Sequence, residues 1–124
     1  MNIRRTTKQD LTTFADWFEK HGQDRRQSEY LSDIGYMVEG IAAAFLYTTN
    51  SKVCWIESYI SNPDTNKNER KHALDFITEA IIQHAKELQF EAMICFIDGK
   101  ATYERCINYG FVPGSQKIIF TKRI

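Results

Sequence analysis

The sequence has no net charge and no long apolar run, and each absence excludes a class of protein. Sixteen basic residues balance sixteen acidic ones, which argues against a strongly basic nucleic-acid-binding protein. The longest apolar stretch, 41-IAAAFLY-47, is far shorter than the ~18 residues that a membrane span needs. The N-terminus, MNIRRTTKQD, lacks the apolar segment of a signal peptide. We therefore expect a cytoplasmic protein with no nucleic-acid or membrane partner.

Cysteine and metal-ligand patterns are also scarce. The three cysteines, Cys54, Cys95 and Cys106, are widely spaced and form no CxxC pair, so we expect free thiols in a reducing compartment. The three histidines do not pair with cysteines or with each other at ligand spacing, so no metal site is predicted. A length of 124 residues fits one domain that spans 1–124.

Short apolar runs bounded by turn residues predict six strands. Gly40 separates two of these runs and predicts a tight hairpin. The run 92–97 is wholly apolar, which is typical of a strand at a sheet centre that is covered on both faces. The strands from 34 to 60 follow one another closely, so we expect them to be antiparallel. The predicted strands are 2–5, 34–39, 41–47, 53–60, 92–97 and 116–123.

Apolar residues at helical spacing predict helices at 10–22, 69–88 and 100–110. The segment 23–33 is polar and fits either a short helix or a mobile loop. The second helix is the clearest, and Asn66 or Asn68 can cap its N-terminus. Its apolar stripe comprises Ala73, Phe76, Ile77, Ala80, Ile81, His84 and Leu88. We expect His84 to be a packed or edge histidine.

The resulting order of elements is β-α-(α)-β-β-β-α-β-α-β. A strand meander followed by a β-α-β unit predicts an α/β (α+β) fold, with a mixed, mostly antiparallel central sheet and helices on both faces. In this order the sequence resembles the GNAT family, the acyl-CoA-dependent N-acyltransferases. The segment 3-IRRTTKQDL-11 is similar to the family's first strand and helix start. The strand 92–97, the helix 100-KATYERCINY-109 and 110-GF-111 resemble its C-terminal part.

The family's central motif, Arg/Gln-x-x-Gly-x-Gly/Ala, holds the cofactor's pyrophosphate on backbone N–H groups at a helix N-terminus. The resemblance places it on 68-NERKHA-73, where only Ala73 fits and Lys71 stands for the first glycine. Lys71 either hinders the approach of a phosphate or holds it with its charge. The acetyl-CoA-binding residues that the resemblance implies are Tyr59, Ile60, Ser61, Asn66, Lys67, Asn68, Glu69, Arg70, Lys71, His72 and Ala73.

The resemblance also implies a general base, because family members often use a glutamate on the fourth strand. Glu57 lies within 53-VCWIESYI-60. An ammonium must lose a proton before it attacks a thioester, and a partly buried carboxylate is a better base near neutral pH. Strand alternation predicts two faces, one with Val53, Trp55, Glu57 and Tyr59 and the other with Cys54, Ile56, Ser58 and Ile60. The competing interpretation leaves Glu57 on the solvent-facing side of a half-exposed sheet.

The implied general acid is a tyrosine five residues before the Phe of Gly-Phe, and Cys106 occupies that position. A thiol can donate a proton. Tyr103, one turn earlier on about the same helix face, could substitute for it. The competing interpretation is packing, because cysteine often acts as a small buried apolar residue and tyrosine fills a core edge.

Three functions are compatible with these residues. The first is an acyl-CoA-dependent N-acetyltransferase, an acyltransferase that uses acetyl-CoA to acetylate a primary amine of a small molecule, peptide or protein. The second is a catalytically degenerate GNAT-fold binding or structural protein, of a type found among phage proteins. The third is an unrelated α+β domain with a similar element order. A monomer and a homodimer fit the sequence equally.

Overall fold

A five-stranded sheet in the order β1-β2-β3-β4-β5 forms the centre of the protein. The structure is a computed structural model that describes all residues from Met1 to Ile124. The strands are β1 (Ile3–Arg5), β2 (Ile34–Val38), β3 (Ala42–Tyr47), β4 (Val53–Ser61) and β5 (Ala92–Cys95). The helices are α1 (Leu11–Lys20), α2 (Lys67–Glu87) and α3 (Lys100–Asn108), with short 3₁₀ turns at Lys8–Asp10 and Arg25–Tyr30. The predicted mixed α+β architecture is confirmed.

The sheet is antiparallel from β1 to β4, whereas β4 and β5 are parallel. Gly40, with a φ of 75°, forms the predicted hairpin between β2 and β3, where the backbone N–H of Ile41 donates to the Val38 carbonyl at 3.0 Å. A parallel connection needs a crossover, and α2 supplies it between β4 and β5. The meander followed by a β-α-β unit is therefore the observed topology.

Each face of the sheet carries its own apolar core. Along β3, Ala42, Ala44 and Leu46 point toward α2. The alternate residues, Ala43 and Phe45, point toward α1 and its aromatic side chains. Because successive strand residues face opposite sides, the two helices cover opposite faces, as predicted. Burying each large apolar side chain stabilises the folded state by about 1.5–3 kcal/mol. The two cores together therefore hold the sheet in place between α1 and α2.

The buried stripe of α2 differs in part from the predicted one. Its buried residues are Ala73, Ile77, Thr78, Ile81 and Ala85. Phe76 and Leu88 were predicted to be buried but are 52% and 46% exposed, because the helix packs through a ridge of residues four apart and these two lie beside it. The prediction for His84 is confirmed, since its Nδ1 lies 2.7 Å from the hydroxyl of Tyr36. None of the three helices combines the length and apolar character needed to cross a membrane.

The end of the chain departs from the sequence prediction. No strand forms at 116–123, and β5 is an edge strand instead of a central one. A strand persists only where a neighbouring edge takes up its backbone hydrogen bonds, and segment 116–123 lies on no such edge. With the outer edge of β5 uncovered, Ile94, Phe96 and Ile97 are 40–45% exposed. The prediction that 92–97 lies at the sheet centre, which rested on its apolar character, is therefore wrong.

Candidate functional site

A β-bulge interrupts β4 at Ser58. Ala43 pairs with Ile60 and Phe45 pairs with Glu57, so one residue of β3 faces two residues of β4. Ser58 takes up the extra length with a φ of 61°, a left-handed conformation that costs a non-glycine residue roughly 1–2 kcal/mol. Bulges of this kind re-aim the side chains that follow them and are frequent beside active sites.

The bulge reverses the side-chain alternation in the second half of β4. Ser58 hydrogen-bonds to the Tyr47 hydroxyl at 3.0 Å on the α1 side. Tyr59 points the other way, and its hydroxyl contacts Thr78 of α2 at 2.8 Å. Ile60 joins the α1 core. The predicted faces were therefore wrong after Glu57, because strict alternation fails wherever an extra residue enters a strand.

The pairing between β4 and β5 ends directly beside the bulge, and we refer to the opening beyond this point as the splay. The parallel pairing extends from Val53–Ala92 to Ile56–Cys95, and β5 ends there while β4 continues to Ser61. The stretch Glu57–Ser61 therefore has no neighbouring strand on its β5 side. An unpaired strand edge presents backbone N–H and C=O groups to any extended ligand that can pair with it.

Glu57 lies where the splay opens, and its environment raises its pKa. Burial is the largest cause of the rise in the pKa of the Glu57 carboxyl, and the nearby Asp98 carboxylate adds to it. Hydrogen bonds from the backbone N–H groups of Ser58, at 2.9 Å, and of Phe96 act in the opposite direction. A carboxyl group that is held in place and shifted toward neutrality is suited to accept a proton from an amine.

A cavity of about 550 Å³ surrounds Glu57 between the α1 side of the sheet and the ends of β5 and α3. Ser58 and Asp98 share its wall with Glu57. The wall also includes Gln23 and Gln27, from the segment between α1 and β2. The volume is that of a typical small-molecule site.

The loop before α2 is held mainly by its own hydrogen bonds. The side chain of Asn66 caps α2 by accepting from the N–H of Asn68 at 2.7 Å and of Glu69 at 3.4 Å. Arg70 donates to the Thr65 carbonyl. The N–H groups of Asn68 and Glu69, which were predicted to bind the cofactor, are thus already paired. Lys67 and Lys71 are exposed, so their ammonium groups remain accessible to an anion.

Replacing Asn66 with alanine should lower the free energy of unfolding by about 1 kcal/mol, because two N–H groups of the first turn lose their partner. Urea unfolding of the purified protein measures this change. Asn68→Ala is the matched control, since Asn68 caps nothing and alanine is the better helix former. Equal losses in the two variants would contradict the capping role of Asn66.

Comparison with solved structures places this geometry in a known fold. The Mycobacterium tuberculosis protein Rv2747, solved with CoA, superposes with a TM-score of 0.74 at 13% identity, over 97% of this chain and 76% of that one. Aminoglycoside N-acetyltransferase AAC(6')-Iy, also solved with CoA, gives 0.67 at 14% identity, over 99% and 100%. A transcriptional regulator from Bacillus halodurans C-125 gives 0.74 at 10% identity, over 98% and 99%.

The chain has the GNAT fold. At these identities the likeness concerns the fold alone, because one fold can carry many unrelated functions. No protein-family profile matches the sequence, and no curated protein matches it either. The resemblance seen in the sequence is confirmed at the level of the fold.

Neither of the two candidates for the general acid lies in the cavity of Glu57. Cys106 is 2% exposed, and its thiol lies beside that of Cys95. Burial is the largest cause of the raised pKa of Cys95, and this contact adds to it. Tyr103 is 47% exposed on α3, and neither Tyr103 nor Cys106 lines the cavity. The acid role of each stays a prediction.

Sequence reasoning missed the residues that hold α3 against the rest of the GNAT fold. Arg105 is 6% exposed and donates from Nε to the Asp75 carboxylate of α2 at 3.2 Å. Its guanidinium lies over the Tyr59 ring at 5.0 Å, and Tyr109 donates to the Asp75 carbonyl at 2.9 Å. Nothing in the local pattern marks an arginine for burial, because its partners come from two other elements.

Proposed function

We propose that the protein is an acetyl-CoA-dependent N-acetyltransferase that acetylates a primary amine of a small molecule, peptide or protein. The observation that carries the proposal is the position of Glu57, a half-buried carboxyl at the point where β4 separates from β5. The CoA-bound GNAT structures support the choice of cofactor. Three free cysteines support a reducing, cytoplasmic setting.

The free edge of β4 is suited to hold the extended arm of the cofactor. Tyr59, Ile60 and Ser61 would pair with it through their backbone groups, which do not depend on side-chain identity. Lys67 and Lys71 would hold its phosphates through side-chain charge, because Asn66 already occupies two backbone N–H groups of the first turn. The glycine-free loop therefore fits the cofactor by charge in place of a backbone cradle.

The chemistry that acetyl-CoA supplies when bound is an acetyl thioester: the amine nitrogen bonds to the acetyl carbon, the carbon–sulfur bond breaks, and the thiol and one proton are released. Glu57 takes that proton from the incoming ammonium and passes it to solvent. The backbone N–H of Ser58 donates to the carboxyl at 2.9 Å and fixes it in place. General-base catalysis of this kind contributes about 10²–10⁴-fold to a rate.

Incubation of the protein with acetyl-CoA and a panel of primary amines tests the proposal. We expect thermal stabilisation by millimolar acetyl-CoA, because a ligand that binds only the folded state stabilises it. We also expect one thiol released for each acetylated amine seen by mass spectrometry. Reactions without amine measure background hydrolysis of the thioester. Absence of both stabilisation and acetylated product would overturn the proposal.

The alternative is a GNAT-fold binding protein without catalysis, and the loop supplies the observation that favours it. Lys71 occupies the place of a glycine, and Asn66 takes up N–H groups that would otherwise bind phosphate. Such a protein would be stabilised by CoA or another anion but would produce no acetylated amine. The same two measurements therefore separate the alternatives.

A further inference from the structure

The cavity beside Glu57 has an unusual combination of charge and aromatic surface. Glu57 and Asp98 are the charged residues of its wall, and no lysine, arginine or histidine contributes to it. A wall with two carboxylates and no basic group repels anions and attracts cations. The aromatic side chains of the wall on this side of the sheet include Phe18, Tyr30, Tyr47 and Phe96, and aromatic faces add a further attraction for ammonium groups.

The two carboxylates belong to different environments. Glu57 is half-buried on β4, and its carboxyl accepts a hydrogen bond from the backbone N–H of Ser58. Asp98 is exposed on the loop between β5 and α3, across the splay from Glu57. Their positions therefore suit two tasks, because the Glu57 carboxylate can accept a proton while the Asp98 carboxylate pairs with a cation.

A single amine placed between both carboxylates would tend to stay protonated, and a protonated amine cannot attack the thioester. Each neighbouring negative charge stabilises the protonated amine and so opposes the loss of its proton. An acceptor with a second cation removes this difficulty, because the second cation pairs with Asp98 and leaves the reacting amine to Glu57. A cavity of about 550 Å³ has room for a small molecule with both groups.

We propose that the acceptor is a small aliphatic diamine, one of whose ammonium groups is held by the Asp98 carboxylate while the other reacts beside Glu57. The inference rests on the proposed N-acetyltransferase function and deepens it by naming the class of acceptor. Asp98 acts as a specificity-determining residue: it contacts the end of the acceptor that does not react. The phenol rings of Tyr30 and Tyr47 form part of the wall around the chain between the two amines.

Matched pairs of acceptors test this assignment. Each pair is an α,ω-diaminoalkane and the amino-alcohol of the same chain length, in which a hydroxyl replaces the second amine. We expect kcat/KM for acetyl transfer to favour the diamine by about fivefold, the upper range for an ion pair that is open to solvent. In Asp98→Asn this ratio should fall to near one. Both rates are measured in one protein, so a loss of folded material cancels from the ratio.

Asp33→Asn is the matched control, because Asp33 is exposed but lies outside this cavity, and it should keep the preference. NMR titration of each amine without acetyl-CoA gives a second, independent measurement. The affinities should also favour the diamine over the amino-alcohol, and this preference should depend on Asp98. Equal use of diamine and amino-alcohol, an unchanged ratio in Asp98→Asn, or a stronger preference for a lysine peptide would each overturn the inference.

The two proposals fail in different ways. If no amine is acetylated while the diamine still binds through Asp98, the N-acetyltransferase function is wrong and the cation site stands. If amines are acetylated without regard to a second charge, the function stands and the diamine assignment is wrong.

Discussion

Glu57→Gln is expected to lower kcat for acetyl transfer by about 10²–10⁴-fold while leaving the affinity for acetyl-CoA nearly unchanged. Glutamine keeps the shape of the side chain but cannot accept the proton of an ammonium. The cofactor, in our account, lies along the backbone of Tyr59–Ser61 and does not depend on the carboxylate. Steady-state kinetics gives kcat, and calorimetry with acetyl-CoA gives the affinity.

Glu87→Gln is the matched control, because Glu87 is exposed at the end of α2, and it should have wild-type kinetics. A parallel loss of affinity and turnover in Glu57→Gln would argue against the base role, since it would mean that the carboxylate supports binding. Wild-type turnover in Glu57→Gln would exclude the role altogether.

The pH dependence follows from the same carboxyl group. Burial and Asp98 raise the pKa of Glu57 above its ordinary value of 4.5, so the rate should rise with pH through that raised pKa as the base becomes ionised. The raised pKa also means that the folded state binds this proton more tightly than the unfolded state does. Glu57 therefore costs stability as pH rises from the ordinary value through the raised one, and Glu57→Gln should melt higher than the wild type above that window.

Phe45→Ala is expected to lower the free energy of unfolding by about 3–5 kcal/mol, the range for removing a buried phenylalanine. Phe45 is 1% exposed and meets Phe14 edge-to-face at 5.5 Å between ring centres. Its ring also fills the space beside Gly35, where an added Cβ would lie 2.5 Å from it. The cavity left by alanine cannot close without moving β2 or α1. Denaturant unfolding measures the change.

Phe76→Ala is the control for this loss, because Phe76 lies on α2 with half its surface exposed, and its removal should cost well under half as much. Losses of similar size in the two variants would show that the α1 face is not the tightly packed core described above.

Local patterns in the sequence predicted most of the fold. The hairpin at Gly40 and the antiparallel meander followed from turn residues and apolar runs, because short-range signals determine adjacent strands. Segment 116–123 has equally strong strand composition but forms no strand. Strand formation depends on a partner edge, and composition carries no information about that edge.

Only part of the candidate site could be predicted from the sequence, because the rest depends on contacts between distant elements. Glu57 stood out as a carboxylate in an apolar strand. The bulge at Ser58 had no signal, since the left-handed residue is not a glycine, and it reversed the predicted orientation of Tyr59. The role proposed for Asp98 depends on the splay that places it opposite Glu57. Such a contact between distant elements is visible only in three dimensions.

A backbone amide NMR titration with CoA tests directly whether the splay is a cofactor site. We expect saturable chemical-shift changes at Tyr59, Ile60 and Ser61, the free edge of β4, together with changes at the first turn of α2 around Lys67 and Lys71. Shifts confined to other parts of the chain, or no shifts at millimolar CoA, would contradict the claim that this splay is a cofactor site.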